Sequence, residues 1–530
     1  MAYPIFLALG GALALFLLVV VSDYIDGWRR RRALGHIPIV DEGSNLSPAL
    51  RWRSCPFDAE AAFSHAYNVH SKQGRPFAAR VQDGRYAIAL PPSALKEARA
   101  IGHEQLSFLD ALSLFADLYL YMDVTSRVQI ETVHAVNREA SLTQFYQLLA
   151  VESTKHLAPV FDPPKGHDST ELAVLESVTA ASSAIATSLL LGPGCPADLL
   201  VEVTAGAIIY NVSMLQLRLL RAQSPRPVKP LVWYFSRTAR RLRLVLAGLK
   251  ARLIPEIKQR LAIAMSADNN LDSSSFSLLN ALILTTLAKQ AHPTTPAEHH
   301  RVADLLCQQS LLYHFELARP TGTIVTHMLY QAMRSPEQAD MLHAEVKAAL
   351  KHCEDAGDTI HRHLLQHTPK LESFTREIFR MYDVSVFAGF RLTLTPQGIT
   401  LTSLSPPLHL PQGTMIMTPS RAAHYDAAHY ANPDTFDPLR FYDTATNTCA
   451  PRITTTSPAF LAFSHGKGSC PGRFMATAIT RMLFARLLMA YRFEFVGGNT
   501  GETLVMDGAA AFPDPRVRMR VWVREGKGEA

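Results

Sequence analysis

Cys470 stands in "FSHGKGSCPGR", residues 463–473, set among glycines and a proline in an otherwise apolar stretch. Taken alone, this thiol could be an inert packed side chain, half of a disulfide, or a metal ligand. Gly466 and Gly472 let the backbone turn tightly and pass close to a flat ligand. Pro471 opens "PGRFMATAITRMLFARLLMAYRFEF", which reads as a long final helix, so the thiol lies just before a helix N-terminus. There the dipole and free N–H groups favour a thiolate. A single thiolate offered from a loop, with Phe463 as a shielding ring, suits an axial ligand of haem iron.

Charge chemistry appears upstream. In "LESFTREIFRMYD" Glu377 and Arg380 are at i and i+3, on one helical face. Leu371, Phe374, Ile378 and Phe379 make the surroundings apolar, so burial is expected. An exposed pair would be worth under about 1 kcal/mol. The segment "ANPDTFDPLRFYD", 431–443, supplies Phe436, Pro438, Arg440 and Phe441. Arg440 could complete a Glu–Arg–Arg network in which planar donors fork onto one carboxylate.

The three patterns run in the order E-x-x-R, P-x-x-F-x-P-x-R-F, F-x-x-G-x-x-x-C-x-G, with about 60 and 30 residues between them. That order and the motifs themselves resemble the cytochrome P450 family. The likeness covers nearly the whole chain after the N-terminal segment and is strongest from about 300 to 495. The runs "FSHGKGSCPGRFMA", "HMLYQAMRSPEQ" and "HYANPDTFDPLRF" are similar to fungal microsomal members. The resemblance implies haem b with Cys470 as its proximal ligand, and Phe463, Gly466 and Gly472 shaping the ligand loop. Glu377, Arg380, Phe436 and Arg440 would hold the proximal scaffold. It also implies electrons from a membrane-bound NADPH–cytochrome reductase, a small apolar substrate, and an oxygen-inserting monooxygenase of secondary metabolism.

Two departures from the family pattern bear on the chemistry. Family members usually carry Arg or His two residues before the ligand cysteine to reach a haem propionate, and here that residue is Gly468. Lys467, His465 or Arg391 is expected to supply the cation instead. Arg138 is the candidate for a further propionate contact from an early helix. On the distal side, the (A/G)-G-x-(D/E)-T-T pattern of the family is replaced by "ELARPT", residues 316–321. Arg319 takes the acid position and Pro320 the alcohol position. Pro320 leaves the Glu316 carbonyl without its helical partner, which predicts a local opening. Thr321, about 100° further round the axis, is the substitute alcohol, and Glu316 is either a proton donor or a solvated charge. Ordinary oxygenation, a rearrangement or dehydration at the haem, and a haem protein that has lost turnover all remain open on this basis.

The elements that must position these groups are mostly helical. Apolar residues recur at helical spacing in "ADLLCQQSLLYHFEL" and "GTIVTHMLYQAMRSPEQADMLHAEVKAAL", while 396–419 alternates between Pro and Gly as short strands. The tail "GETLVMDGAAAFPDPRVRMRVWVRE" reads as a terminal hairpin. The expected fold is mainly α with a minor β-sheet, that of a cytochrome P450, preceded by one transmembrane helix. Residues 4–21 form an uncharged run of 18, followed by Trp28 and Arg29–Arg32. That length, roughly 27 Å as helix, spans a bilayer, and the trailing arginines predict a signal anchor with the rest on the cytosolic side. No later run is comparable, which predicts a single pass, and the resemblance implies that the membrane is that of the endoplasmic reticulum. The organisation is therefore 1–25 anchor, 26–50 basic and proline-containing linker, and 51–530 catalytic domain.

The composition fits. Lys and Arg number 52 against 46 Asp and Glu, a net charge of +6 spread along the chain, which does not indicate nucleic-acid binding. Six cysteines lie far apart with no C-x-x-C pair, which argues against a disulfide framework or a structural zinc site.

Overall fold

The computed structural model describes residues 34–40 and 59–524, except 81–85, 116, 123–126, 223, 225–227, 267–270, 272–275, 290–291, 357–363, 499–503 and 508–509, together with single positions between 17 and 32. Most of the expected anchor and most of the linker lie outside the described residues. Leu17, Leu18, Val21, Tyr24, Ile25 and Trp28 are helical and exposed.

The helices that matter for the site are α1 (Pro92–Ala100), α2 (Val128–Val136), α3 (Val174–Leu191), α4 (Ala197–Ala222), α5 (Pro296–Arg334), α6 (Pro369–Met381) and α7 (Arg473–Ala490). A single large apolar cluster, including Ile185, Leu329, Phe374 and Phe484, joins α3, α5, α6 and α7. The mainly helical expectation holds. One sheet has six strands: β1 (Ile39–Val40), β2 (Phe77–Arg80), β3 (Tyr86–Ala89), β4 (Leu106–Ser107), β5 (Ala388–Thr393) and β6 (Met415–Thr418), in the order β1-β2-β3-β6-β5-β4. The β1–β2 and β3–β6 pairs are parallel and the others antiparallel.

Helix α5 starts as its sequence dictates. Thr295 caps it by accepting from Glu298 N at 3.2 Å, Glu298 accepts back from Thr295 N at 3.0 Å, and Pro296 takes the first turn, where no N–H is needed. Gly322 lets α5 approach α3 closely, because a Cβ there would come within 2.8 Å of Ser182 Oγ.

Three expectations are corrected. Helix α5 runs unbroken through Pro320, so the proline causes no interruption. It removes one donor from a helix of 39 residues whose flanking turns are buried, and tertiary packing keeps those turns helical. The final helix ends at Ala490, and Tyr491–Phe495 is a strand paired antiparallel with Arg518–Val523. Its alternating Tyr491, Phe493 and Phe495 follow a strand period. The tail is accordingly two pieces, with a separate hairpin of Leu504–Asp507 and Ala510–Pro513. Finally, α3 and Ala197–Arg221 are also long and apolar enough to cross a membrane, with mean hydropathy 1.5 and 1.4. Both contribute to the main core, where 72% of the first apolar window and 39% of the second is buried.

Candidate active site

The thiol loop is pinned from several directions. Cys470 N donates to Phe463 O at 2.8 Å, and the Phe463 ring packs on Phe379 of α6 at 4.9 Å between centroids. Asn137, just past α2, donates from Nδ2 to Pro471 O at 2.9 Å. Gly466 has φ +77°, a region that favours glycine, and a Cβ there would lie 3.0 Å from Arg99 Cδ. Gly472 caps α7, and Arg473 donates back to the Cys470 carbonyl at 2.8 Å.

Cys470 is open to solvent, yet burial is the leading cause that pushes its thiol up to about 11. Both statements hold if the sulfur lines an internal hollow ringed by protein. The nearby Glu316 charge pushes in the same direction, while the N–H groups of Gly472 and Arg473 favour the thiolate. The helix-terminus effect expected from the sequence is therefore present, but desolvation outweighs it. Glu316, from α5, has the same character. It is exposed although its neighbours on α5 are mostly buried, and burial raises its carboxyl to about 7. The Glu316 charge is thus near enough to act on the Cys470 thiol.

A cationic cluster borders the loop. The Arg391 guanidinium, buried on β5, fills the space that a side chain at position 468 would need; a Cβ on Gly468 would overlap it. Arg391 Nη1 lies 3.4 Å from His103 Nδ1. Burial and the Arg391 charge push Arg99 down to about 10, and burial and Arg99 lower His465. Among the described residues no carboxylate pairs with Arg99 or Arg391. Two desolvated guanidiniums without a counter-ion suit a ligand carrying carboxylates. Together with a solvent-open, deeply set thiol and a glycine-lined approach, these residues fit haem. Lys467, between the two loop glycines that meet Arg99 and Arg391, and Arg138 are exposed. Arg99 and His103 went unnoticed in the sequence, since no motif marks "ARAIGHEQ" and only the packing of α1 on the loop brings it there.

Behind the loop, Glu377, Arg380 and Arg440 come together. Arg380 binds Glu377 through Nε and Nη2, both at 2.8 Å; Arg440 Nε reaches it at 2.9 Å and Asp437 N at 3.1 Å. Glu377 and Arg380 are fully buried. Arg380 also donates to His424 O at 2.7 Å and Pro433 O at 2.8 Å, tying α6 to the 424–440 segment. Phe436 meets Phe374 edge-on at 5.5 Å. Arg376, which the sequence reading passed over, lies 3.7 Å from the Phe460 ring and donates to Arg452 O at 2.7 Å.

On the distal side the three expected residues separate. Arg319 is half-buried, with its guanidinium 5.5 Å from the Phe512 ring on the 504–513 hairpin. Pro320 is half-buried. Thr321 is buried, and among the described residues its solvent-sealed hydroxyl has no partner. It lies about 140° round the axis from Glu316. Glu316 is exposed where Thr321 is sealed.

A sequence model described as "Cytochrome P450" matches residues 130–519. The chain is 59% identical over 528 residues, 98% of each chain, to the bicoumarin synthase desC of Aspergillus desertorum. It is 38% identical to the bicoumarin synthase ktnC of Aspergillus niger, over 80% of this chain and 99% of that one. It is 35% identical to the cytochrome P450 monooxygenase afvE of Aspergillus flavus, over 90% of this chain and 98% of that one. With a match over most of its length and fungal relatives along nearly all of it, the chain belongs to the cytochrome P450 family of haem-thiolate monooxygenases.

Proposed function

We propose that this chain joins two phenolic coumarin units oxidatively into a bicoumarin, as a step of fungal secondary metabolism. The observation that carries the reading is the 59% identity, along 98% of both chains, to a protein named for making bicoumarins. Two hydroxycoumarins would each give up one electron, a carbon–carbon bond would form between the rings, and two ring hydrogens would leave as protons. Dioxygen would be reduced to two waters, with two of its four electrons from the phenols and two from an NADPH–cytochrome reductase.

When bound, haem supplies the dioxygen chemistry and one-electron oxidising power. Cys470 would ligate its iron, held in place by the Phe463 carbonyl, Asn137 and the N–H groups at the start of α7. Arg99 and Arg391, with His103 beside them, would hold the propionates. The Glu377–Arg380–Arg440 network would fix the loop's distance from α6.

The test is conversion of a hydroxycoumarin by microsomes containing the full chain and a fungal NADPH–cytochrome reductase. The expected product has twice the monomer mass less two hydrogens, and Cys470→Ala abolishes both it and the red-shifted thiolate Soret band of the reduced carbon-monoxide complex. A monomer carrying one added oxygen as sole product would replace coupling by hydroxylation.

We also infer that residues 4–21 anchor the chain in the endoplasmic reticulum membrane with the folded part cytosolic. The uncharged run, the following arginines and the exposed helical Leu17, Leu18 and Val21 support this. Carbonate extraction should leave the full chain in the pellet. Equal retention of a chain lacking residues 1–25 would overturn the assignment.

A further inference from the structure

Glu316 and Arg319 are one helical turn apart on α5, hence neighbours on one face. They are of opposite charge and could pair, yet among the described residues neither has an ionic or hydrogen-bonding partner. Glu316 is exposed, as is the Cys470 thiol on which its charge acts, while the Arg319 guanidinium lies over the Phe512 ring. Desolvation is the cause of both shifted pKa values, up for Glu316 and down for Arg319. Two desolvated charges left unmatched cost stability. Such a cost is retained where a ligand completes the pairing. The Arg319 guanidinium carbon lies 5.5 Å from the Phe512 ring centroid, and among the described residues its N–H groups are left for a planar acceptor.

We infer that Glu316 and Arg319 form a two-point polar clamp on the substrate, Glu316 accepting from a phenolic O–H and Arg319 donating to a carbonyl or phenolate oxygen. This rests on the coumarin-coupling reading, and gives it a recognition element: a rigid, flat molecule with a hydroxyl and a lactone carbonyl presents both groups at once. Apolar walls alone discriminate poorly against a molecule lacking the hydroxyl, whereas buried polar groups left unpaired reject it.

The test is equilibrium dialysis of 7-hydroxycoumarin and of unsubstituted coumarin with full-length, haem-loaded protein, which needs no turnover. Wild type should favour the hydroxylated ligand at least tenfold, the scale expected for hydrogen bonds to charged groups. Glu316→Gln should remove most of that preference and leave coumarin within about twofold of wild type, whereas Arg319→Gln should weaken both ligands severalfold through their shared lactone carbonyl, and Arg319→Lys less so. The carbon-monoxide difference spectrum of each variant verifies that it has folded around haem. Equal binding of both ligands by wild type, a preference that survives Glu316→Gln, or unchanged binding of both ligands by Arg319→Gln would overturn the clamp. Binding of neither coumarin would overturn the coumarin reading itself, and with it the ligand assigned to the clamp.

Discussion

The guanidinium of Arg391 occupies the volume that a side chain on Gly468 would require. The missing cation before Cys470 and the buried arginine on β5 are therefore two sides of one arrangement. The charge that family members usually place two residues ahead of the ligand cysteine arrives here from a strand, and only glycine leaves room for it.

Gly468→Ala should consequently disturb haem retention through Arg391. A methyl group at 468 forces the guanidinium aside, at about 1–3 kcal/mol for an overpacked site. The expected result is a lower melting temperature and a smaller carbon-monoxide difference band per mole of protein. Arg391→Leu should also reduce haem content, and the double variant should lose little beyond Arg391→Leu alone, because the clash then has no partner. Additive losses would separate the two residues.

Glu377→Gln tests the network behind the loop. The carboxylate accepts from Arg380, Arg440 and Asp437 N, with Glu377 and Arg380 fully buried. Removing one charge strands two guanidiniums, and a broken buried pair costs about 3–5 kcal/mol. Chemical denaturation should show a loss of that size, whereas Arg127→Ala, from an exposed pair with Glu104, should cost under about 1 kcal/mol.

How much of this was legible in the sequence depends on the range of the contacts. Glu377, Arg380, Arg440 and Cys470 are marked by short spacings, and each spacing already places its residues on one helix face or one turn. Arg99 and His103 carry no such mark, because their role arises only when α1 packs on the Gly466–Gly468 turn. Arg319 was noticed as a departure, but its support by Phe512 depends on a hairpin packed against the 384 region, where Ala511 N donates to Val384 O. The run 491–495 was read as helix because an apolar stretch followed a strong helix without a break. Its period of two is visible only when Tyr491, Phe493 and Phe495 are compared. Local geometry was readable at Pro320 too, yet the packing of a long buried helix overrode it.

Thr321→Val separates the distal residues. The Thr321 hydroxyl is buried and lacks a partner among the described residues, so replacing it with a methyl of similar shape removes a desolvation cost. Stability should stay within about 1 kcal/mol of wild type or rise, and product formed per NADPH should be unchanged. A drop in coupling with unaltered stability would return Thr321 to a proton path.

Asp383 supplies a pH dependence of stability. It follows α6 and is buried, and burial pushes its carboxyl up to about 7 from 3.8 in spite of the opposing Arg421 charge and hydrogen bonds from Ser420 and the backbone. Below about pH 4 the group is protonated in both folded and unfolded chains and contributes nothing. Between about 4 and 7 the unfolded chain has released the proton while the folded chain still holds it, so raising the pH through that window favours unfolding. Asp383→Asn keeps the shape and removes the titration. Its stability, measured by denaturant at each pH, should equal that of wild type near pH 4 and exceed it increasingly up to pH 8. Other carboxyls, such as Glu97, held down to about 2 chiefly by hydrogen bonds from the 402–403 turn, act equally in both proteins and cancel from the difference. A constant difference between variant and wild type across the range would mean that Asp383 is ionised in the folded chain throughout.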